Sequence, residues 1–371
     1  MVSHTQTVKP IPLVEPWFPA SYADAVRDQV LSGFIGPGRT TQDFAGALAQ
    51  FVGAPRALLT VSGTVALSVA AHALGLEPGN EILVPAYGVI STINAFAAMG
   101  LRPRLVDIDR RTGCITPALV VDALTPATQG VCFVDFSGYL SDALVETASL
   151  CTARRLRLIE DAACAVGHRH RGQSAGRFGD VGTYSFSVPK VLTTGQGGAL
   201  VARDEAVMNR ALAYIDQGDL EWRRTNVNRE VGTNLRFTDV QAALGLCQMR
   251  DLPARLSRRR AAHDVLRQRL GDALYTVPGG EAPLHNIVFA SRADELMAFL
   301  KQRGVSAVRQ YRTLSQHPAY AHLSDRRYPN ADYWTDRALY LPFGMALAPD
   351  DAARVADAVA ESGIPLDSLA A

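Results

Sequence analysis

Through the first two thirds of the chain, short apolar runs alternate with longer helical patterns, and this alternation limits the fold more than any other feature. Glu81–Pro85 (EILVP), Arg104–Ile108 (RLVDI), Val131–Asp135 (VCFVD), Arg155–Asp161 (RLRLIED) and Gly182–Ser187 (GTYSFS) read as buried strands. Helical patterns lie between most of them: TVALSVAAHALG after Gly63, STINAFAAMG after Ile90 and DALVETASLCTARR after Ser141. Strands buried on both faces read as continuous apolar runs, and intervening helices carry the chain back to add the next strand in parallel. The pattern predicts an α/β fold whose large domain has a mainly parallel, seven-stranded type of sheet flanked by helices.

Near Asp251 the texture changes. DLPARLSRRRAAHDVLRQRL reads as a long basic helix with its arginines on a solvated face. Beyond it, His285–Ala290 (HNIVFA) reads as a strand and ADELMAFLKQRG as a helix stopped by Gly304. AVRQY, ending at Tyr311, reads as a further strand, and a last helix spans roughly Asp350 to Ser362. These elements predict a smaller α+β domain over residues 251–371, after a large domain over 1–250 that includes the N-terminal segment. A length of 371 residues fits two domains.

A net charge of +1, with no basic stripe, gives no reason to expect nucleic acid as a partner. Cys114, Cys132, Cys151, Cys164 and Cys247 form no CxxC pair and are expected to be reduced thiols. MVSHTQTVKPIP lacks a signal-peptide pattern, and the most apolar long run is interrupted by Pro85, Ser91, Thr92 and Asn94. The expectation is a cytoplasmic protein without a membrane span.

The chemistry centres on one lysine. Thr183–Leu200 (TYSFSVPKVLTTGQGGAL) sets Lys190 among Val188, Pro189, Val191 and Leu192, then continues through Gly195, Gly197 and Gly198. A lone lysine in such surroundings is ordinarily a snorkelling surface residue. Two other features change its meaning. Ser62, Gly63 and Thr64 precede an alanine-rich helix, where free N–H groups make either a plain cap or a phosphate site. Glu160 and Asp161 close a strand at the end where ligands of open α/β sheets collect. No metal is expected, because no histidine or further carboxylate stands nearby at ligand spacing. His168 and His170, in a charged turn-like segment, read as surface residues. Pyridoxal phosphate is the cofactor that uses such a set: a Schiff-base lysine, an acidic partner for its ring nitrogen and a phosphate cradle, to which Ser185 would add a hydroxyl.

SGTVAL, EILVPAYGVISTINA, VDID, IEDAACA, the GRFGDVGTYSFSVPK–TTGQGG block and GTNLRFTDVQAALG occur in that order. In this the chain resembles the DegT/DnrJ/EryC1/StrS aminotransferases, fold type I pyridoxal 5'-phosphate enzymes, from Ile11 through nearly its whole length. The resemblance implies that Lys190 holds the cofactor and moves a proton, while Asp161 faces the ring nitrogen. Gly63, Thr64 and Ser185 would take the phosphate, with Asn234 reaching it from the neighbouring subunit of a homodimer, and Arg236 near it. Val89 stands where the family usually stacks an aromatic ring, so either Tyr87 or an aliphatic contact would serve. Cys164 replaces a glutamine or histidine beside the ring's phenolic oxygen, and Gln196 replaces a glutamate. Relatives that dehydrate sugars carry histidine in place of the lysine, so Lys190 argues for transamination.

The implied function is transfer of an amino group from glutamate or glutamine to a keto sugar, nucleotide-linked, in amino sugar or antibiotic biosynthesis, with pyridoxamine phosphate between the half-reactions. A cyclitol aminotransferase or another pyridoxal phosphate enzyme of secondary metabolism is the alternative enzyme, and a ligand-binding regulator on the same fold the alternative without catalysis. Phe34, Tyr311, Arg312 and His317 are candidates for touching substrate.

Overall fold

The computed structural model describes residues 9–369. Residues 1–8, part of the stretch expected to lack a signal sequence, and residues 370–371 lie outside that range. In chain order the large sheet and its helices comprise α1 (Ala20–Leu31), α2 (Arg39–Val52), β1 (Ala57–Thr60), α3 (Gly63–Ala73), β2 (Glu81–Pro85), α4 (Ile90–Ala97), β3 (Arg102–Val106), α5 (Pro117–Ala123), β4 (Thr128–Val134), α6 (Asp142–Arg154) and β5 (Arg157–Asp161). A short hairpin, β6 (Arg169–His170) and β7 (Gln173–Ser174), leads to β8 (Val181–Ser185), β9 (Gly198–Ala202), α7 (Glu205–Ile215), α8 (Trp222–Thr225) and α9 (Asp239–Arg250).

The seven strands lie in the order β1-β9-β8-β5-β4-β2-β3. Strands β3, β2, β4, β5 and β8 run parallel, whereas β9 is antiparallel to both β8 and β1. Every residue of β8 and β9 is buried, as the apolar pattern requires of a sheet covered on both faces. The expected strands are present with their ends shifted, while β1 and β9 were not anticipated. Because the parallel strands point the same way, Pro85, Asp161 and Ser185 all arrive at one edge of the sheet. That edge carries the site.

The remainder holds α10 (Leu252–Leu270), β10 (Asn286–Phe289), α11 (Ala293–Gln302), α12 (Pro329–Arg337), β11 (Ala338–Leu341) and α13 (Pro349–Glu361). β10 and β11 pair antiparallel, and α10, α11 and α13 bury Leu266, Leu296, Leu300, Val355 and Val359 in a second apolar cluster. Ile11 joins this cluster and pairs with Val305, tying the N-terminal segment to it. We propose that the boundary falls at the turn between α9 and α10.

Three expectations are corrected. The arginines of α10 do not all face solvent: Arg255 is fully buried and Arg259 is 8% exposed. Arg255 donates to the carbonyls of Val191 and Trp17 at 3.0 Å, and Arg259 to those of Phe343, Pro283 and Leu284. Each guanidinium reaches carbonyls with two of its three nitrogens, leaving Arg255 Nη2 and Arg259 Nε without a partner among the described residues. Residues 307–311 form no strand, because only Val308 meets Tyr340 before Tyr311 turns the backbone to φ 63°. His168 is buried, not on the surface, and burial drops its pKa to about 4. Its ring lies against Gly138, where any Cβ would overlap it.

Candidate active site

A cavity of about 320 Å³ opens at the carboxyl edge of the parallel strands. Of the residues expected there, Gly63, Thr64, Val89, Asp161, Cys164, Ser185 and Lys190 line it, and Asn234 does not.

Lys190 sits in the loop that leaves β8. The loop is closed by Phe186, whose N–H donates to Gly197 O (2.8 Å) and whose carbonyl accepts from Thr194 N (3.0 Å). Gln248 of α9 grips Thr193 through both its N–H and its carbonyl, and Arg255 grips Val191. Two helices therefore fix the lysine from behind, which a flexible side chain needs to act at one place. The Lys190 amine donates to Cys164 Sγ at 3.2 Å. Gln196 also lines the cavity, its carbonyl taken by Thr194 and Gln241.

Asp161 ends β5 and is 4% exposed. Oδ2 accepts from Thr92 Oγ1 at 3.0 Å and Oδ1 from Ala163 N at 3.2 Å. Burial raises its pKa, opposed by the Ala163 N–H, the Lys190 charge and the Thr92 hydroxyl. Two donors are few for a buried carboxylate, so the group has capacity left for a cationic partner.

The start of α3 makes the third corner. Ser62 Oγ caps the helix by accepting from Val65 N at 3.2 Å, while Gly63 and Thr64 face the cavity, so the plain cap and the open helix end coexist. Glycine is required at 63: an added Cβ would lie 2.8 Å from Ser185 Cβ. Gly198 is needed likewise, since a Cβ there would meet the backbone of Ser62 and Gly63. These close approaches leave a cradle beside Ser185 rather than filling it with side chain.

Tyr87 lines the cavity as well, but is mostly committed to the core. Its ring is 1% exposed among Phe136, Trp334 and Tyr311, and its hydroxyl lies 2.9 Å from that of Tyr340. Val89 lines the same cavity. Asn234 is exposed and pairs through its backbone with Asp216, to which Arg236 is salt-bridged at 2.8 Å. Of the substrate candidates only Tyr311 lines the cavity; Phe34 is 75% exposed, and Arg312 and His317 stand elsewhere. Thr92, Phe136, His285 and Gln310 line it without having been singled out.

Behind the cavity two buried carboxyls meet. Glu160 accepts from the N–H groups of Gly176, Phe178 and Gly179 and so holds that turn. Asp135 is fully buried with no donor at either oxygen. Burial, then the charge of Glu160, pushes its pKa far up. Burial raises Glu160 as well, but the N–H groups of Gly179, Gly176 and Phe178 oppose it there, so of the two Asp135 is the one that holds a proton. A carboxyl whose folded pKa lies above its unfolded value stabilises at pH below the unfolded pKa, and this contribution is lost as pH rises through the folded one. Asp135→Asn, neutral and of the same shape, is expected to lie close to the parent's melting temperature at pH 4 and to exceed it well at pH 9. A variant less stable than the parent at both pH values would show that Asp135 is needed ionised.

A lysine, a buried carboxylate and a helix N-terminus on one cavity above such a sheet define the pyridoxal phosphate-dependent transferases of fold type I. Comparison with known proteins narrows the class: the chain belongs to the DegT/DnrJ/EryC1/StrS aminotransferase family, whose model matches residues 20–360. It is 32% identical to the dTDP-4-dehydro-2,3,6-trideoxy-D-glucose 4-aminotransferase of Saccharopolyspora spinosa, over 94% of this chain and 95% of that one. It is 30% identical to the GDP-perosamine synthase of Caulobacter vibrioides, over 86% and 88%. The aminotransferase TlmJ from Streptoalloteichus hindustanus superposes with a TM-score of 0.88 at 31% identity, covering 95% of this chain and 98% of that one. The protein is thus a pyridoxal phosphate-dependent aminotransferase. Among the described residues no helix is long and apolar enough to cross a membrane.

Proposed function

We propose that the enzyme moves the amino group of L-glutamate or L-glutamine to the ketone carbon of a nucleotide-linked deoxy sugar, in amino sugar or antibiotic biosynthesis. The observation that carries the reading is the sharing of one cavity by Lys190, Asp161 and the start of α3, together with the dTDP-sugar substrate named for the relative from Saccharopolyspora spinosa. When bound, pyridoxal phosphate supplies an electron sink for the carbon that loses its proton. Gly63 and Thr64 offer N–H groups and Ser185 a hydroxyl to the phosphate. Asp161 would face the ring nitrogen with negative charge and so favour a proton on it. Lys190 would hold the cofactor aldehyde and, as a free amine, would move the proton between the two carbons. Val89 would offer the ring an aliphatic contact, and Cys164 would be the neighbour of its phenolic oxygen.

Asn234 lies outside its own cavity, which fits a homodimer in which each subunit lends this side chain to the other's phosphate. The test is the visible spectrum of the purified protein before and after L-glutamate, followed by a panel of keto sugars and keto cyclitols read by mass spectrometry. Loss of the aldehyde band with glutamate and an aminated nucleotide sugar are expected. Amination of cyclitols alone would move the substrate to that class, and no response to any donor would favour a ligand-binding regulator.

A further inference from the structure

Another stretch of the cavity wall holds a chain of polar groups that this mechanism does not use. His285, 2% exposed, donates its backbone N–H to Ser137 Oγ at 2.9 Å. Its Nδ1 lies 3.2 Å from the same oxygen, and its Nε2 lies 3.4 Å from the Tyr311 hydroxyl. Ser137 Oγ already accepts one bond and has a proton to give, for which Nδ1 is the acceptor within reach. Nε2 then carries the ring proton and faces the phenolic oxygen. That leaves the phenol's own proton for whatever fills the cavity. Burial, then the charges of Lys190 and Arg259, keeps the imidazole neutral, and burial keeps the phenol protonated.

The backbone supports the same reading. Ser137 and Tyr311, the two ends of the chain, are both non-glycine residues in the left-handed region, at φ 56° and φ 63°. Such conformations persist where the surroundings over-determine them, commonly at ligand sites. Here both left-handed residues bring a hydroxyl to the same imidazole.

The wall also has a chemical bias. Beside His285 and Tyr311 stand the Phe136 ring and the Gln310 amide, and among the residues lining the cavity Lys190 is the one lysine or arginine. An amino acid's carboxylate is best served by a fixed cation in bidentate geometry. Neutral donors between aromatic faces suit an uncharged, oxygen-bearing ring instead. We infer that Tyr311, positioned by His285 and Ser137, sets acceptor specificity by donating a hydrogen bond to an uncharged ring oxygen of the keto substrate. The inference rests on the sugar-acceptor reading above.

The two half-reactions separate the possibilities, because both use the same loaded enzyme. Holoenzyme carrying Tyr311→Phe, His285→Leu or His285→Gln would be driven forward by L-glutamate and back by dTDP-linked 4-keto-6-deoxyglucose, each followed by cofactor absorbance. For Tyr311→Phe and His285→Leu, kcat/KM for the keto sugar is expected to fall about tenfold, mainly through KM, the size of one lost hydrogen bond. The glutamate half-reaction should fall by a clearly smaller factor. His285→Gln, which keeps an N–H at similar reach, should recover most of the loss. Equal losses in both halves would overturn the inference. So would a glutamine variant as poor as the leucine one with unchanged melting temperature and cofactor absorbance. Should the parent enzyme refuse every keto sugar, the acceptor reading fails; the same comparison then runs on the keto cyclitol it does accept, also an uncharged ring, and the same two results decide.

Discussion

Lys190→Ala is expected to lower the transamination rate by about 10³-fold, the middle of the range for losing a positioned proton-transfer group. The same change should abolish covalent retention of the cofactor. The reasons lie in the loop. Gln248 and Arg255 hold the backbone just after the lysine, at Thr193 and Val191, so the alanine variant is expected to fold and to differ in the missing amine alone. Among the described residues the amine's hydrogen-bond partner is Cys164 Sγ, a weak acceptor that does not compete strongly for it. Two measurements check the prediction. Borohydride reduction of the loaded parent should leave a pyridoxyl mass increment on the peptide containing residue 190, and none on any peptide of the variant. Stopped-flow absorbance with L-glutamate should give the rate. A labelled lysine elsewhere, or a variant within tenfold of the parent, would remove the lysine from its role.

The lysine's meaning was legible in the sequence because everything around it is local. Its apolar flanks, the glycines after it and the strand before it lie within eighteen residues, Thr183 to Leu200. The parallel strands were legible for a similar reason, since burial on both faces leaves an uninterrupted apolar run. β1 and β9 were not. ALLT merges into the apolar start of α3, and GALVA continues the glycine-rich stretch, so neither stands out until the two pair with each other. The arginines of α10 were misread because periodicity reports charge but not which carbonyls another part of the chain will bring. Arg255 and Val191 lie 64 residues apart. Distance along the chain also hid the rest of the site: Thr92 meets Asp161 across 69 residues, and Ser137 meets His285 across 148. Tyr87 shows the converse case. An aromatic in the right motif is committed to the apolar core by Tyr340 and Trp334, which no local pattern reveals.

Asp161→Asn should cost nearly as much as loss of the lysine, and for a different reason. The asparagine has the same shape: its oxygen can accept from Ala163 N, and its amide nitrogen can donate to the Thr92 hydroxyl with that bond reversed, so the strand end and α4 should stay in register. What it cannot do is face a cationic nitrogen with negative charge. In the protein alone, burial is the largest influence on this carboxyl and pushes toward the neutral form, with the Lys190 charge pulling the other way. A protonated ring nitrogen at bonding distance would add to that pull, and the carboxylate would in turn hold the proton on the ring. Removing the charge forfeits a charge-assisted hydrogen bond, so cofactor affinity is expected to fall roughly 10- to 100-fold. The glutamate half-reaction should fall further than affinity does, on the order of 10²-fold or more even at saturating cofactor, because an unprotonated ring accepts electrons poorly. Cofactor titration and stopped-flow absorbance measure the two separately. If both numbers stay within threefold of the parent, Asp161 serves only to close the turn at Ala163, and the ring nitrogen faces something else.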